Sequence, residues 1–247
     1  EGVWSVPRDR GITVSRAAES AAIYIQNPSS LLAVKALAPQ PNQEVLDLAA
    51  APGGKTIAIA AAMGNTGRIA AVELVKKRFY RLKANVGRCG VTNVDFYQRD
   101  GRGVGRVVPG RFDRVLLDAP SSSEARIRWF DPSSYGHWSQ KKVREVQRKQ
   151  KRLLRSAFAA LIPGGRLVFS TCSFGVAENE LVVDDLLKST DATLAPLDVS
   201  LPENIPGMVT WRNKPLREDL ALTSRIIPNQ IWDGFYIAAI SKPRSTG

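Results

Sequence analysis

The sequence has few of the residues that form disulfide frameworks and metal centres. Its 247 residues include two cysteines, Cys89 and Cys172, and one histidine, His137. Two thiols in a chain of this length form no disulfide framework, which predicts a reducing, cytoplasmic environment. A lone histidine without a Cys/His cluster argues against a zinc site. No Gly-x-Ser-x-Gly turn accompanies His137, which disfavours a serine hydrolase.

Long apolar runs and a leader segment are also missing. No stretch approaches the roughly 20 apolar residues of a membrane span. Residues 1–10 are polar and of mixed charge, unlike a signal peptide. The chain begins with Glu1 rather than Met, which leaves open whether an upstream domain precedes it. We therefore treat residues 1–26 as an N-terminal extension, the remnant of an upstream region.

Positive charge, in contrast, is abundant. There are 35 Lys and Arg against 23 Asp and Glu, which gives a formal net charge of +12. Such an excess favours nucleic acid as a partner, ahead of an anionic membrane or a basic surface without a specific partner. One side of a long helix predicted over residues 139–161 is densely basic. That side is either a solvated surface or a track for RNA phosphates.

Strand and helix patterns alternate from residue 27 onwards. Asn27 and Pro28 are typical of the cap and first position of a helix. Apolar runs predict strands over residues 45–48, 68–73, 93–97, 112–118, 166–170 and 234–240, and periodic segments predict helices over residues 56–63, 76–88 and 139–161. The alternation predicts one α/β domain over residues 27–247, with a mostly parallel sheet and helices on both faces. We expect the last strand to close the sheet edge.

The turn after the first predicted strand is rich in small residues. Ala49 to Thr56 reads Ala-Ala-Ala-Pro-Gly-Gly-Lys-Thr and leads into a helix, at the place where open α/β sheets bind ligands. Ala49 stands where a P-loop requires glycine, so a nucleotide triphosphatase is disfavoured. Glu73 lies roughly 20 residues further on, as does the acid that binds ribose hydroxyls in Rossmann-like sites. Asp100 follows the third predicted strand and is placed to meet an adenine amino group.

Two more polar segments follow later strands: Asp118 to Ser121 after the fourth, and Ser170 to Ser173 after the fifth. Each has a simpler interpretation, since such residues are common in turns and a lone cysteine is more often a small buried apolar residue. Carboxyl ends of parallel strands share one edge of the sheet, so these segments are expected to lie beside the small-residue turn. That arrangement favours Cys172 as a reactive thiol, whereas Cys89 lacks such neighbours and is interpreted as structural.

In this order the segments resemble those of the Sun-type (Fmu-type) RNA 5-methylcytosine methyltransferases, from about residue 27 to the end. The matching motifs are residues 50–56, 150–154, 163–165, 170–173, 178–180 and 233–235. The resemblance implies a Rossmann-like methyltransferase fold with an antiparallel last strand. It implies an enzyme that transfers a methyl group from S-adenosylmethionine to carbon 5 of a cytosine in structured RNA. Ribosomal RNA is favoured over transfer RNA, and we expect a monomer without a metal or a membrane partner.

The resemblance also implies a role for individual residues. The methionine end of the cofactor would lie on residues 50–55, its ribose at Glu73 with Arg78 nearby, and its adenine at Asp100. Asp118 would lie between the cofactor and the cytosine. The expected cofactor site comprises Ala50, Ala51, Pro52, Gly53, Gly54, Lys55, Glu73, Arg78, Asp100, Gly101 and Asp118.

The expected catalytic residues are Cys172, Asp118, Lys55 and Ser121. A Cys172 thiolate that adds to carbon 6 of cytosine turns carbon 5 into a nucleophile. This step requires a lowered pKa at Cys172, to which Lys55 is expected to contribute. Asp118, protonated or sharing a proton with the base, would stabilise the charge that develops on the ring.

Ser121 departs from the family pattern, which usually has cysteine at this position. That cysteine is thought to assist release of the methylated product from the covalent adduct. Serine is far less acidic. Either the native protein releases product in another way, or the serine was introduced to trap the adduct. We expect methyl transfer to remain possible and release to be slow.

Four aromatic residues lie between the two catalytic segments: Trp129, Phe130, Tyr135 and Trp138. Packing within their own loop is favoured slightly over stacking on RNA bases, and Arg126 and Arg128 are placed to hold phosphates beside them. Two other functions stay open. An amino-group methyltransferase needs no Cys172 and usually has an aromatic residue where Ser122 and Ser123 stand. A non-catalytic RNA-binding protein on the same scaffold is the other.

Overall fold

The computed structural model describes residues 12, 15–20, 22–136 and 138–244. The predictions for residues 1–10 and for His137 lie outside these residues. The helices of the described part are α1 (Arg16–Glu19), α2 (Pro28–Leu37), α3 (Gly54–Ala62), α4 (Lys76–Arg88), α5 (Val104–Val107), α6 (Gln140–Ala160) and α7 (Glu180–Ser189). As predicted, Asn27 caps α2, and its side chain accepts a hydrogen bond from the amide of Ser29. No helix among these residues is long and apolar enough to cross a membrane.

The strands form one large mixed sheet and a separate hairpin. They are β1 (Glu44–Asp47), β2 (Arg68–Val72), β3 (Val94–Tyr97), β4 (Phe112–Asp118), β5 (Leu161–Thr171), β6 (Thr193–Ala195), β7 (Asn204–Pro206), β8 (Thr210–Trp211), β9 (Lys214–Pro215), β10 (Ser224–Ile226) and β11 (Phe235–Ser241). The large sheet has the order β3-β2-β1-β4-β5-β11-β10-β7, with β6 also paired to β11. Strands β1 to β5 pair in parallel, and β11 runs antiparallel to β5. The predicted fold class and the antiparallel last strand are confirmed.

Both faces of the sheet are covered by helices. Leu46, Val115 and Leu117 point to the face that α6 and α7 cover. Their neighbours Val45 and Leu116 point to the opposite face, where α2 and α3 pack. Successive side chains of a strand alternate between faces, so a strand that is buried on both sides is apolar throughout. This burial explains the continuous apolar run in β4.

The prediction that the last strand closes the sheet edge is wrong. Strands β10 and β7 continue the sheet beyond β11. Each has three residues, too few for a periodic pattern to reveal them. Strand β5 also begins earlier than predicted, because Leu161 pairs with Phe112 before an irregularity in the ladder. Helix α7 was not predicted at all.

The strand order places a crevice at the carboxyl ends of β1 and β4. From β1 the chain continues through α3 to β2 on one side, while β4 lies on the other side of β1. The loops after β1 and β4 therefore diverge at the point where the order reverses. Ligands of open α/β sheets bind at such a point. The four predicted polar segments all follow strands that end along this edge.

Candidate active site

The loop between β1 and α3 carries the small residues. Gly53 has φ = +112°, a backbone conformation that residues with a Cβ atom rarely adopt. A Cβ atom at Gly54 would lie 2.0 Å from Oε1 of Gln26, so a larger residue fits there only if Gln26 moves. The amide of Ala50 donates to the carbonyl of Val72 at the end of β2. We call residues 47–56, together with Glu73 and Arg78, the cofactor half of the site.

Asp47, the last residue of β1, connects the start of this loop to α3. The side chain is 1% exposed, and its Oδ2 accepts a hydrogen bond of 2.7 Å from Oγ1 of Thr56 in α3. Burial raises the pKa of Asp47 to about 6. Asp47 was not among the predicted site residues. The signal for it is an acid within the apolar run Val45-Leu46-Asp47-Leu48.

Glu73 and Arg78 meet the same loop from the other side. Glu73 is buried, and its Oε1 accepts from the amide of Val75 at 2.8 Å. Its Oε2 lies 3.7 Å from Nε of Arg78, an ion pair without a hydrogen bond. Arg78 instead donates to the carbonyl of Ala51 at 2.7 Å. The structure therefore brings the predicted residues Glu73 and Arg78 to the small-residue loop.

Asp100 and Gly101 lie where β3 ends. Asp100 caps a short 3-10 helix and forms an ion pair with Arg102. These hydrogen bonds hold the pKa of Asp100 below its usual range. A Cβ atom at Gly101 would lie 3.0 Å from the carbonyl of Leu48, so the small residue lets this segment approach the end of β1. Both residues lie at the carboxyl edge of the sheet, as predicted, although the carboxylate of Asp100 is paired with Arg102.

Asp118 joins the two sides of the crevice. Its Oδ2 accepts from Nζ of Lys55 at 2.7 Å, and its Oδ1 accepts from Oγ of Ser170 at 2.8 Å. Lys55 lies in the first turn of α3, which follows β1, whereas Ser170 lies near the end of β5. The carboxylate at the end of β4 thus connects the end of β5 to the helix that follows β1. We call residues 118–123 and 170–174 the base half of the site.

Cys172 is partly buried and lies near enough to this carboxylate for the charge of Asp118 to act on its thiol. Burial is the largest effect on its thiol and raises its pKa, and the negative charge of Asp118 raises it further. The charges of Arg126 and Lys55 act in the opposite direction but do not outweigh burial. The expected contribution of Lys55 is present, whereas the expected net lowering of the pKa is wrong because of desolvation. Cys89, the other free thiol, is the residue that caps the C-terminal end of α4.

Glu178 connects the loops of the base half to each other. It is buried, and its carboxylate accepts from the amide and Oγ of Ser122 and from Oγ of Ser173. Gln150 of α6 donates to the carbonyl of Pro120 beside them. Ser121 does not join this network: in the described part of the chain, its Oγ accepts one long hydrogen bond of 3.3 Å, from the amide of Ser123. Ser122 and Glu178 were not predicted site residues, although residues 178–180 belong to a motif that the resemblance singled out.

A second buried carboxylate supports the segment that follows Cys172. Glu180 is fully buried and pairs with Arg225 of β10 through two guanidinium nitrogens. Arg225 also donates to the carbonyl of Phe174 at 2.8 Å. Asn179 donates to the carbonyl of Ser173. The carbonyls of Ser173 and Phe174 are therefore held by side chains from the start of α7 and from β10. Among the described residues, no group of His, Cys, Asp or Glu side chains is arranged to hold a metal.

The predicted aromatic residues project from a loop above the base half. Trp129 is 87% exposed and Phe130 67% exposed, so the expectation that they pack within the loop is wrong for these two. The loop is too short to enclose both rings, because it turns sharply between Arg128 and Asp131. Trp138 does make a contact within the loop, because its Nε1 donates a hydrogen bond of 2.8 Å to Glu124.

The basic side of α6 is partly neutralised. Lys151 and Arg155 both pair with Asp185 of α7. Further along, an open cavity of about 220 Å³ beside Arg102 is lined by one acid and three basic residues of α6: Glu145, Arg148, Lys149 and Arg152. The helix therefore combines a neutralised section with one in which cations outnumber carboxylates.

Comparison with known proteins places this arrangement in a family. Residues 34–241 match the family model described as 16S rRNA methyltransferase RsmB/F. The chain is 42% identical to ribosomal RNA small subunit methyltransferase F of Escherichia coli O6:H1 over 99% of its length, and 45% identical to the protein of that name from Serratia proteamaculans over 76%. It covers 50% and 40% of these two proteins, so it spans about half the length of the relatives.

Solved structures agree with this assignment. A methyltransferase homolog protein from Pyrococcus horikoshii is 34% identical with a TM-score of 0.81, covering 95% of this chain and 72% of its own. The structure of NSun6 from the same organism with SFG is 30% identical with a TM-score of 0.79, covering 93% and 56%. The chain belongs to the 16S rRNA methyltransferase RsmB/F family, the Sun-type family.

Proposed function

We propose that this chain is the catalytic part of an S-adenosylmethionine-dependent RNA methyltransferase that modifies carbon 5 of a cytosine. The observation that carries the proposal is the Lys55–Asp118–Ser170 connection beside the Cys172 thiol. It joins a cofactor half and a base half within one crevice. Ribosomal RNA is the favoured substrate, which would place the reaction in the cytoplasm. We further propose that residues 27–247 form the methyltransferase domain and that it acts as a monomer.

The cofactor half fits S-adenosylmethionine. Oε2 of Glu73 lies 3.7 Å from Arg78, beyond hydrogen-bond distance, so it is able to accept a ribose hydroxyl. The first amides of α3, at Gly54 and Lys55, are suited to the methionine carboxylate, because a helix start attracts anions. Asp100 would accept from the adenine amino group once Arg102 gives way. When bound, the cofactor supplies an electrophilic methyl group on sulfur.

The base half supplies the nucleophile. Sγ of Cys172, as the thiolate, forms a bond to carbon 6 of cytosine, and the electron pair moves into the ring so that carbon 5 becomes nucleophilic. Asp118 can accept from the exocyclic amino group, and a proton passed from Lys55 through Asp118 can neutralise charge at ring nitrogen 3. Methyl transfer to carbon 5 would leave the cofactor as its thioether, S-adenosylhomocysteine. A general base such as water would then take the proton from carbon 5, and that electron pair would restore the double bond between carbons 5 and 6 as the bond from carbon 6 to Sγ breaks and returns the thiolate. Nitrogen 3 would return its proton to Asp118.

Ser121 limits the removal of the proton from carbon 5. Its hydroxyl is a poor base at neutral pH, so we expect transfer to outpace release and the covalent RNA adduct to accumulate. Denaturing electrophoresis after incubation with RNA and cofactor measures the adduct. Ser121→Cys should lower the adduct and raise turnover. If the parent forms no adduct and Ser121→Cys turns over no faster, this role of Ser121 is refuted.

Nucleoside analysis of RNA methylated with a labelled cofactor tests the function itself. The expected product is 5-methylcytidine. A methyl group on the exocyclic amino group would instead establish the amino-group methyltransferase. Calorimetry with S-adenosylmethionine tests the non-catalytic alternative, which an absence of cofactor binding together with intact RNA binding would favour. The raised pKa of Cys172 is the observation that keeps this alternative open.

A further inference from the structure

The loop above the base half exposes an unusual amount of aromatic surface. We call residues 124–136 and 138 the aromatic loop. Trp129 and Phe130 at its tip form an edge-to-face pair with ring centroids 5.8 Å apart, and neither ring is covered by the described part of the chain. Large exposed aromatic side chains gathered at one place indicate a binding surface.

The aromatic loop is fixed to the Cys172 segment at its base. The amide of Ala125 donates to the carbonyl of Cys172 at 3.2 Å. Oε2 of Glu124 accepts from Oγ of Ser173 and from the amide of Phe174, and its Oε1 accepts from the indole of Trp138. Trp129 follows Ala125 by four positions, a span of at most about 14 Å between their Cα atoms. The tip therefore stays within reach of the loop that carries the thiol.

The tip itself is held by local hydrogen bonds. Asp131 accepts from the amide and Oγ of Ser133, and Oγ of Ser134 donates to the carbonyl of Asp131. The amide of Arg128 donates to Oγ of Ser134. These bonds close the turn that carries Trp129 and Phe130, so a ligand would meet two rings on a backbone that is already ordered. Such preorganisation reduces the ordering cost of binding.

The aromatic loop carries two acids and two arginines. The carboxylates of Glu124 and Asp131 accept hydrogen bonds from within the protein, which leaves the two guanidinium groups as the charges available to a partner. Within the described residues, neither Arg126 nor Arg128 forms an ion pair, and the whole chain is strongly basic. Exposed aromatic rings next to cations match unpaired nucleic acid, which offers base faces for stacking and phosphates for guanidinium groups.

We propose that Trp129 and Phe130 stack on unpaired RNA bases next to the target cytosine, while Arg126 and Arg128 contact the adjoining phosphates. The proposal rests on the proposed function, in that it assumes an RNA substrate at the Cys172 segment. It goes further by naming the structural state of that RNA, which is single-stranded or opened at the site. Duplex RNA hides its base faces and would not occupy this surface.

Binding measurements on aromatic-loop variants test the proposal. The probe is a cytosine-containing single-stranded RNA of about a dozen nucleotides, long enough for several base contacts, with the matching duplex as comparison. Single-strand binding should quench the fluorescence of Trp129, and Trp129→Ala should remove that part of the quenching. The double variant Trp129→Ala/Phe130→Ala should raise Kd for the single strand roughly tenfold or more. Trp129→Phe should retain most of the affinity.

Two controls separate this role from a general loss of structure. Tyr80 is an exposed aromatic residue on α4, so Tyr80→Ala should leave Kd for RNA unchanged. The double variant should bind S-adenosylmethionine as the parent does, because the cofactor half is not altered. Arg126→Ala and Arg128→Ala should each lower the slope of log Kd against log salt by about 0.7 if they lose one single-strand phosphate contact.

The outcomes distinguish this proposal from the proposed function. Unchanged single-strand affinity in the double variant, or equal loss with Tyr80→Ala, would overturn the stacking role even if 5-methylcytidine is formed. A change in oligomeric state without a change in RNA affinity would also overturn it, because the rings would then contact a second copy. Quenching by single-stranded RNA without formation of 5-methylcytidine would leave stacking intact and refute the proposed function.

Discussion

The two halves of the site are held in different ways. In the cofactor half, Arg78 and Asn85 donate to the carbonyls of Ala51 and Pro52, so side chains support a backbone loop. In the base half, the buried carboxylate of Glu178 holds two serine side chains from different loops.

Each half also contains the other kind of contact, since Asp47 accepts from Thr56 in the cofactor half and Gln150 donates to the carbonyl of Pro120 in the base half. The base half differs in that one buried carboxylate joins the loops that follow β4 and β5. We therefore expect substitutions in the base half to affect the reaction more strongly.

The largest effect is expected where the base half supplies the nucleophile. Cys172→Ala removes the group that adds to carbon 6 and should lower methylation by roughly 10⁴-fold or more, as is typical of nucleophile removal. No covalent adduct should remain on denaturing gels. Cys89→Ala is the matched control and should keep parental activity, since Cys89 is the other free thiol. Retained methylation by Cys172→Ala would mean that the ring is activated without a thiol adduct.

The next effect concerns the ion pair that joins the halves. Lys55→Met removes the ammonium group that donates a hydrogen bond to Asp118. Loss of a charged donor of this kind lowers kcat roughly 10²- to 10³-fold. Lys55→Arg should recover part of the loss, because it restores a cation. Rapid-quench measurement of adduct formation gives the rate. An unchanged rate with Lys55→Met would show that the two halves work independently.

A paired substitution contrasts the halves directly. Glu178→Gln leaves buried hydroxyl donors without a carboxylate and should destabilise the protein by about 1–3 kcal/mol, with slower adduct formation but parental affinity for S-adenosylmethionine. Glu73→Gln should do the reverse and weaken cofactor affinity. Calorimetry and adduct kinetics on both variants provide the measurement. If both variants lose cofactor affinity equally, the halves are not separable.

The smallest effect is a shift in pH dependence. Burial raises the pKa of Cys172 above its ordinary value, so the thiolate is a minor species at neutral pH. Below this pKa the reactive fraction grows with pH, and the rate of adduct formation should rise on going from neutral to alkaline solution. Because the charge of Arg126 lowers this pKa, Arg126→Ala should move the profile further to alkaline pH. A rate independent of pH above neutrality would contradict the raised pKa.

Much of the cofactor half could be predicted from the sequence. Residues 49–56 are contiguous, and the small side chains, the helix start and the acid after β2 are local features that a single sequence displays. The bounds predicted for α4 and β4 match the structure, because long amphipathic and fully buried segments have clear patterns. Asp118 and Cys172 were found in the same way, at the ends of apolar strands.

The tertiary structure alone decided how the base half is assembled. Glu178, Ser122 and Arg225 are far apart in sequence, and no local pattern predicts that α7 and β10 bring them together around the Cys172 segment. Burial of the thiol raised a pKa that was expected to be lowered, because desolvation depends on the packed surroundings and not on one neighbouring lysine. Trp129 and Phe130 proved exposed for a similar reason, since the turn between Arg128 and Asp131 leaves them nothing to pack against. The sequence by itself determined which groups reach the sheet edge, and the packing of the chain determined their protonation and accessibility.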